Sequence, residues 1–180
     1  MIRLGSNSQV RAMLLEEHGI KFVQTGSDFD EDTIATKDPF EFVKIATRGK
    51  FEDLKNKYGL DTPLLVADTV VTACGELLRK PKGVEDAKRI LQLQSGSQTS
   101  IITCFIYATS QKEIEDVSVT TYHFASFEPK DLQEYLESGE WDGKAGGCMV
   151  EGFCKKYIVK VDGYESTAMG LSMEKLLPLL

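Results

Sequence analysis

A single carboxylate interrupts an otherwise apolar run. Leu64 to Val71 is nearly continuous hydrophobic sequence, and Asp68 is its only charged member. Such a run reads as a strand buried on both faces. A carboxylate inside it must be compensated by hydrogen bonds, a cation or a metal, because an unpaired buried charge is costly or takes up a proton. Metal coordination or catalysis would explain Asp68, and a strand-end Asp that caps a nearby backbone N–H is the plainer alternative. Upstream lies an acidic loop, Asp28-Phe29-Asp30-Glu31-Asp32. Asp30, Glu31 and Asp68 together would make an oxygen-rich set suited to Mg²⁺ or Mn²⁺. A solvated acidic loop with no ligand is the other reading.

Two cationic segments offer phosphate contacts. Ser6-Asn7-Ser8 joins the first strand to the first helix, where free N–H groups and the positive end of the helix dipole attract anions, and Arg11 lies one turn inside. The same residues are equally an ordinary N-cap with a surface arginine. Lys80-Pro81 sits in a basic turn, where lysine is commonly just solvated. His18 and His123 are the only histidines, which leaves little material for a histidine triad or a zinc cluster, so both are expected to be structural. The cysteines, at 74, 104, 148 and 154, form no CxxC pair. Free thiols in a reducing compartment are therefore expected, without disulfides.

The elements that must position these residues alternate in type. A strand from Ile2 to Gly5 precedes a helix from about Ser8 to His18 that Gly19 ends, and a second strand lies near 21–24. Asp38-Pro39 opens a long helix with Phe42, Ile45, Ala46 and Gly49 on one face. After the strand of Asp68 comes a Cys74-Gly75 turn, then a helix from Val84 with Ala87, Ile90 and Leu91 in a stripe. Long strands are expected over 99–107 and 115–127, a helix from Pro129 with Leu132, Tyr135 and Leu136 inward, and a Gly-rich stretch over 145–152. A strand at 157–161 and a Leu-rich helix at 173–180 close the chain.

Composition narrows the partners. The 180 residues fit one ordinary globular domain, with 42% hydrophobic and 27% charged residues. No apolar run is long enough to span a bilayer, and the N-terminus has no signal-peptide pattern, so a cytoplasmic protein without a membrane partner is expected. A net charge of -7 disfavours a nucleic-acid surface. An anionic ligand then needs a local basic pocket or a metal ion.

Taken in order, the segments resemble the Maf family of nucleotide pyrophosphatases over nearly the whole chain. Leu4-Gly5-Ser6-Asn7-Ser8-Gln9-Val10-Arg11 is similar to the family's opening L-A-S-x-S-P-R-R, with Gln9 and Val10 in place of Pro and the first Arg. Ala67-Asp68-Thr69-Val70-Val71 matches its most recognisable strand, Lys80-Pro81 follows at its spacing, and Ala145-Gly146 and Gly170-Leu171 fall where it places their counterparts. The family's helix lysine aligns with Gly49, and Lys50 comes next.

The resemblance implies an α/β fold, a mixed twisted sheet with flanking helices and two lobes around a nucleotide-binding cleft, in a single Maf/inosine-triphosphatase-like domain over residues 1–180. It implies hydrolysis of a nucleoside triphosphate to the monophosphate and pyrophosphate, with Asp68 as the catalytic proton acceptor. A divalent cation, Mg²⁺ or Mn²⁺, would be held by Glu31 and Asp68, and Ser6, Arg11, Lys50 and Lys80 would contact phosphates. Near the C-terminus the family's dTTP- and UTP-directed branch usually ends its motif in Gln-Gly, whereas this chain reads Val150-Glu151-Gly152. That resembles the branch acting on 7-methyl-GTP, and a carboxylate at Glu151 suits a cationic methylated guanine. The implied role is removal of non-standard nucleotides, and a homodimer is left open. The family's link to cell-division arrest gives the rival reading, a non-catalytic nucleotide-binding regulator of septum formation.

Overall fold

The structure is a computed structural model that describes residues 1–148 and 150–180. Its strands are β1 (Ile2–Gly5), β2 (Phe22–Gln24), β3 (Leu64–Ala73), β4 (Glu76–Leu78), β5 (Gln98–Ala108), β6 (Glu113–Phe124) and β7 (Ile158–Asp162). Its α-helices are α1 (Gln9–Glu17), α2 (Pro39–Tyr58), α3 (Val84–Gln94), α4 (Pro129–Ser138), α5 (Glu165–Ala168) and α6 (Met173–Leu176). The strands form one seven-stranded sheet in the order β2-β1-β3-β5-β6-β7, with β4 paired to β3. β1 is parallel to β2 and β3, while β3–β4 and β6–β7 are antiparallel, so the expected mixed α/β sheet with flanking helices holds. No helix among the described residues is long and apolar enough to cross a membrane.

The chain divides into two compact units, one of Met1–Thr69, Ile102–Val119 and Tyr164–Leu180, the other of Val70–Ile101 and Thr120–Gly163. In the first unit the alternation of strand side chains decides which helix covers which residue. Leu65 and Ala67 of β3 and Phe105 and Tyr107 of β5 join Ala12, Leu14 and Leu15 of α1 in one buried cluster. Their neighbours Leu64, Val66, Ile106 and Ala108 join Phe51 and Leu54 of α2 in another. α1 and α2 therefore cover opposite faces. α1 begins on Ser8, whose hydroxyl accepts from the Arg11 N–H, and α2 begins on Asp38, whose carboxylate accepts from the Glu41 N–H at 2.8 Å. Ile45, expected inward, is 45% exposed, because the inner stripe of α2 runs through Phe42, Val43, Ala46, Phe51 and Leu54.

Asp53 on α2 fastens the acidic loop. One of its oxygens accepts from the Ser27 hydroxyl at 2.7 Å and the Asp28 N–H at 2.9 Å, and the other pairs with Lys57 at 2.7 Å. Lys57 first, then Ser27 and Asp28, hold its pKa down at about 2. A depressed carboxylate stabilises the fold above its ordinary value near 4 and loses that contribution as the pH falls through the depressed one. Asp53→Asn is expected to lower stability by about 1 kcal/mol at pH 7. Urea unfolding should show the gap from wild type closing between pH 4 and the depressed value near pH 2; a gap of constant size down to that pH would contradict the assignment.

In the second unit Cys74 (φ 51°) and Gly75 (φ 76°) make a tight turn between β3 and β4. The residue types mark the turn but not β4, whose three residues are too few to show alternation. The stripe of α3 buries Ala87, Ile90 and Leu91 as expected, and α4 ends on Gly139 in the left-handed conformation. In the first unit, the C-terminal helix expected over 173–180 is only Met173–Leu176 followed by a 3₁₀ turn at Leu177–Leu179, since Pro178 cannot continue an α-helix. The expectation of free thiols throughout is corrected in part. Cys74 and Cys104 are free, but Cys148 and Cys154 form a disulfide, their Cα atoms brought to 6.6 Å across the turn at 150–152.

Candidate active site

The first unit contains a reversal of strand order. From β1 the chain passes through α1 to β2 on one side, then through α2 to β3 on the other side of β1, all parallel. In open α/β sheets the carboxyl ends of strands beside such a switch point form the usual ligand crevice. β1 stops at Gly5, level with Val66, and β3 runs on. Asp68 is two residues past that level and faces α2, as Leu64 and Val66 do; Thr69 faces α1. Register alone therefore assigns each a different helix as partner.

Lys50 of α2 meets Asp68, with Nζ 3.2 Å from Oδ1, and the same nitrogen lies 2.5 Å from Glu31 Oε1. On the other face Arg11 of α1 is 9% exposed and spreads its guanidinium over three acceptors. Nε donates to the Gly170 carbonyl at 2.7 Å, Nη1 to the Ser6 hydroxyl at 2.9 Å and Nη2 to the Thr69 hydroxyl at 3.0 Å. Ser6 also accepts from the Ser8 N–H at 3.2 Å. The structure thus gathers Ser6, Arg11, Glu31, Lys50 and Asp68.

Asp68 is 8% exposed, and its Oδ2 is buried with no hydrogen-bond partner among the described residues. Burial is the largest influence on its pKa and raises it; Lys50 pulls it down, Glu31 pushes it up, and Arg11 and the Thr69 N–H pull it down again, for a net rise. Burial likewise lowers the pKa of Arg11, against the opposing pull of Asp68 and Glu31. A carboxylate held short of donors in this way is a base in need of a proton or a cation.

Glu31 reaches the cluster from a 3₁₀ turn, Glu31–Thr33, whose cap is Asp30 accepting from the Asp32 N–H at 2.9 Å. Asp30 is exposed and serves this turn, so it stands apart from the oxygen-rich set in which it is expected. Phe29 lies against Gly49 so closely that a Cβ there would collide with its ring. Position 49 of α2 thus seats the acidic loop, and the lysine one residue on points to both carboxylates.

Lys80 and Glu151 belong to the second unit, where both are exposed, Lys80 beside the buried Pro81 and Glu151 in the turn at 150–152. Among the described residues no group of three or more His, Cys, Asp or Glu converges as a metal site. The pair Glu31 and Asp68, with one orphaned buried oxygen, is nevertheless a donor set that fits Mg²⁺ or Mn²⁺, which take oxygen ligands and complete their shells with water or a bound phosphate. His18 contacts the Leu14 carbonyl at 2.8 Å and His123 contacts Asp162 at 2.8 Å.

Beneath Arg11 lies a polar layer that no sequence motif marks as part of the site. The Thr69 hydroxyl bonds that of Thr103 at 2.9 Å, and Thr103 donates to the Thr167 carbonyl at 2.8 Å. Thr103 is fully buried in an apolar strand, a polar interruption of the same kind as Asp68 and the one signal that could have found it.

A charged cluster at the switch point of an open α/β sheet is the class of site that fold and geometry define here. The chain belongs to the Maf-like protein family, which it matches over residues 1–180. It is 56% identical over 178 residues to a nucleoside triphosphate pyrophosphatase of a Nitratiruptor species, covering 98% of this chain and 96% of that one. A nucleoside triphosphate pyrophosphatase of Helicobacter pylori is 38% identical over 177 residues, covering 98% and 93%. Among solved structures, the Ham1 protein of Staphylococcus aureus is similar over 69% of this chain and 71% of its own, at 12% identity and a TM-score of 0.46.

Proposed function

We propose that this chain is a nucleoside triphosphate pyrophosphatase that hydrolyses its substrate between the α- and β-phosphates, with Asp68 accepting the proton of the attacking water. The observation that carries the reading is the buried Asp68 with its unpartnered oxygen, bridged by Lys50 to Glu31 at the carboxyl ends of parallel strands. The names of the relatives support the activity. A raised pKa suits a base that must hold a proton briefly and return it.

Lys50 is well placed to exchange its carboxylate partners for phosphate oxygens, since its side chain is 18% exposed. Arg11 has used three of its five N–H donors and retains two for an anion near Ser6. Lys80 adds a phosphate contact from its exposed turn. Glu31 and Asp68 would hold Mg²⁺ or Mn²⁺, which would offset negative charge on the triphosphate. Removal of non-standard nucleotides in the cytoplasm is the role this chemistry serves.

Glu151 reads the base in this proposal. An exposed carboxylate accepts from the ring N–H and amino group of guanine and complements the positive charge of its 7-methylated form. Pyrophosphate release should then rank 7-methyl-GTP above dTTP and UTP in the presence of Mg²⁺ or Mn²⁺. Glu151→Gln is expected to lower kcat/KM for 7-methyl-GTP by roughly 10- to 100-fold, with a smaller effect on UTP. Nucleotide bound but never consumed, in a screen across canonical and methylated triphosphates, would replace the enzyme by a nucleotide-binding regulator.

A further inference from the structure

The disulfide in the second unit closes a ring around the turn that carries Glu151. Both ends of that ring are anchored. On the Cys148 side the Gly146 carbonyl accepts from Gln94 Nε2 at 2.6 Å, and the Gly147 carbonyl accepts from the buried Tyr135 hydroxyl at 2.9 Å. On the Cys154 side a 3₁₀ turn, Phe153–Tyr157, stacks Phe153 on Tyr135 with ring centres 4.6 Å apart and sets Tyr157 against Phe127 at 4.9 Å. Between these anchors Val150, Glu151 and Gly152 form a turn outside every strand ladder, with Glu151 and Gly152 exposed. The cross-link thus constrains covalently an apex that secondary structure leaves alone.

The two sulfurs differ in access. Cys154 is fully buried, whereas Cys148 is half-buried. Cys74 and Cys104 take no part in the bond. In a reducing compartment a cysteine pair that closes a bond of this kind is more often switched than permanent. We infer that Cys148 and Cys154 are a reversible thiol–disulfide modification site for low-molecular-weight disulfides, and that its oxidised form orders the Val150–Gly152 apex. The thiolate of Cys148 attacks the small disulfide and expels one thiolate. Cys154, as thiolate, then attacks the Cys148 sulfur of the mixed disulfide and expels the second. Two protein thiols are oxidised, one small disulfide is reduced to two thiols, and the protons pass between thiol and thiolate through solvent.

An ordered apex presents Glu151 with less ordering left to do on binding, so the oxidised form should bind its base more tightly; this consequence rests on the reading of Glu151 given above. The test equilibrates the full-length protein with oxidised and reduced glutathione at a series of ratios. Free thiols are alkylated after acid quench and mapped by mass spectrometry, and amide exchange of Val150–Gly152 is followed in each state. Cys148 and Cys154 should become protected together and reversibly while Cys74 stays alkylatable. Exchange at the apex should be faster in the reduced protein, and Cys148→Ser/Cys154→Ser should match the reduced protein at every ratio. KM for 7-methyl-GTP should be roughly 2- to 10-fold higher in the reduced form. Cysteines that alkylate at every ratio, or apex exchange that is the same in both states, would overturn the inference. Failure of the nucleotide reading is distinct: it shows as no pyrophosphate release in either state while the alkylation and exchange results stand in support of the site.

Discussion

Asp68→Asn is expected to slow pyrophosphate release by roughly 10²- to 10⁴-fold, the usual contribution of a positioned general base. Asn keeps the shape and the contact with Lys50 but accepts no proton. Folding should survive and even gain. Asp68 is a buried carboxylate with one unpartnered oxygen, and its removal relieves a desolvation cost while Lys50 keeps Glu31 at 2.5 Å. The melting temperature of the variant should equal or exceed that of wild type at neutral pH. Loss of activity together with unfolding would mean that Asp68 is an architectural residue.

The same carboxylate fixes the sign of the pH dependence. Its pKa is raised, chiefly by burial, and the acid limb of kcat/KM that its titration produces should vanish in Asp68→Asn. For stability the raised value acts in the opposite sense from Asp53. Asp68 favours the fold below its ordinary pKa, and that contribution is lost as the pH rises through the raised one. The thermal advantage of Asp68→Asn should therefore grow as the pH rises through that window.

Local pattern makes most of this site legible, and the limits of legibility are physical. Asp68 stands out because a charge in a buried strand has few explanations, and alternation along β3 then assigns it to the face of α2. Lys50 is reached through family spacing, but the reason its neighbour at position 49 is glycine needs three dimensions: Phe29 occupies the space that a side chain at 49 would fill. Gly170 and Thr167 meet Arg11 and Thr103 across more than 60 residues of chain, a separation over which no periodicity carries information. The Cys148–Cys154 bond is hidden for a related reason, since pairing depends on a turn whose geometry the residue types do not dictate.

Arg11→Met carries the largest expected effect on stability. The substitution keeps much of the buried volume but leaves the Gly170 carbonyl and the Ser6 and Thr69 hydroxyls without their donor. It also removes a cation that lowers the pKa of Asp68, which stays buried with Lys50 as its counter-charge. Leaving these three acceptors without their charged donor costs about 3–5 kcal/mol in all. For a chain of this size the melting temperature should fall by roughly 6–20 °C. Arg11→Lys should recover little, because one ammonium does not span three acceptors arranged for a planar fork. Arg11→Met/Asp68→Asn should regain part of the loss, since the carboxylate that Arg11 helped to offset is gone, and the coupling measured in that cycle separates the effect of charge from that of the hydrogen bonds. A single variant that melts with wild type would place Arg11 outside the architecture and leave it to the substrate alone.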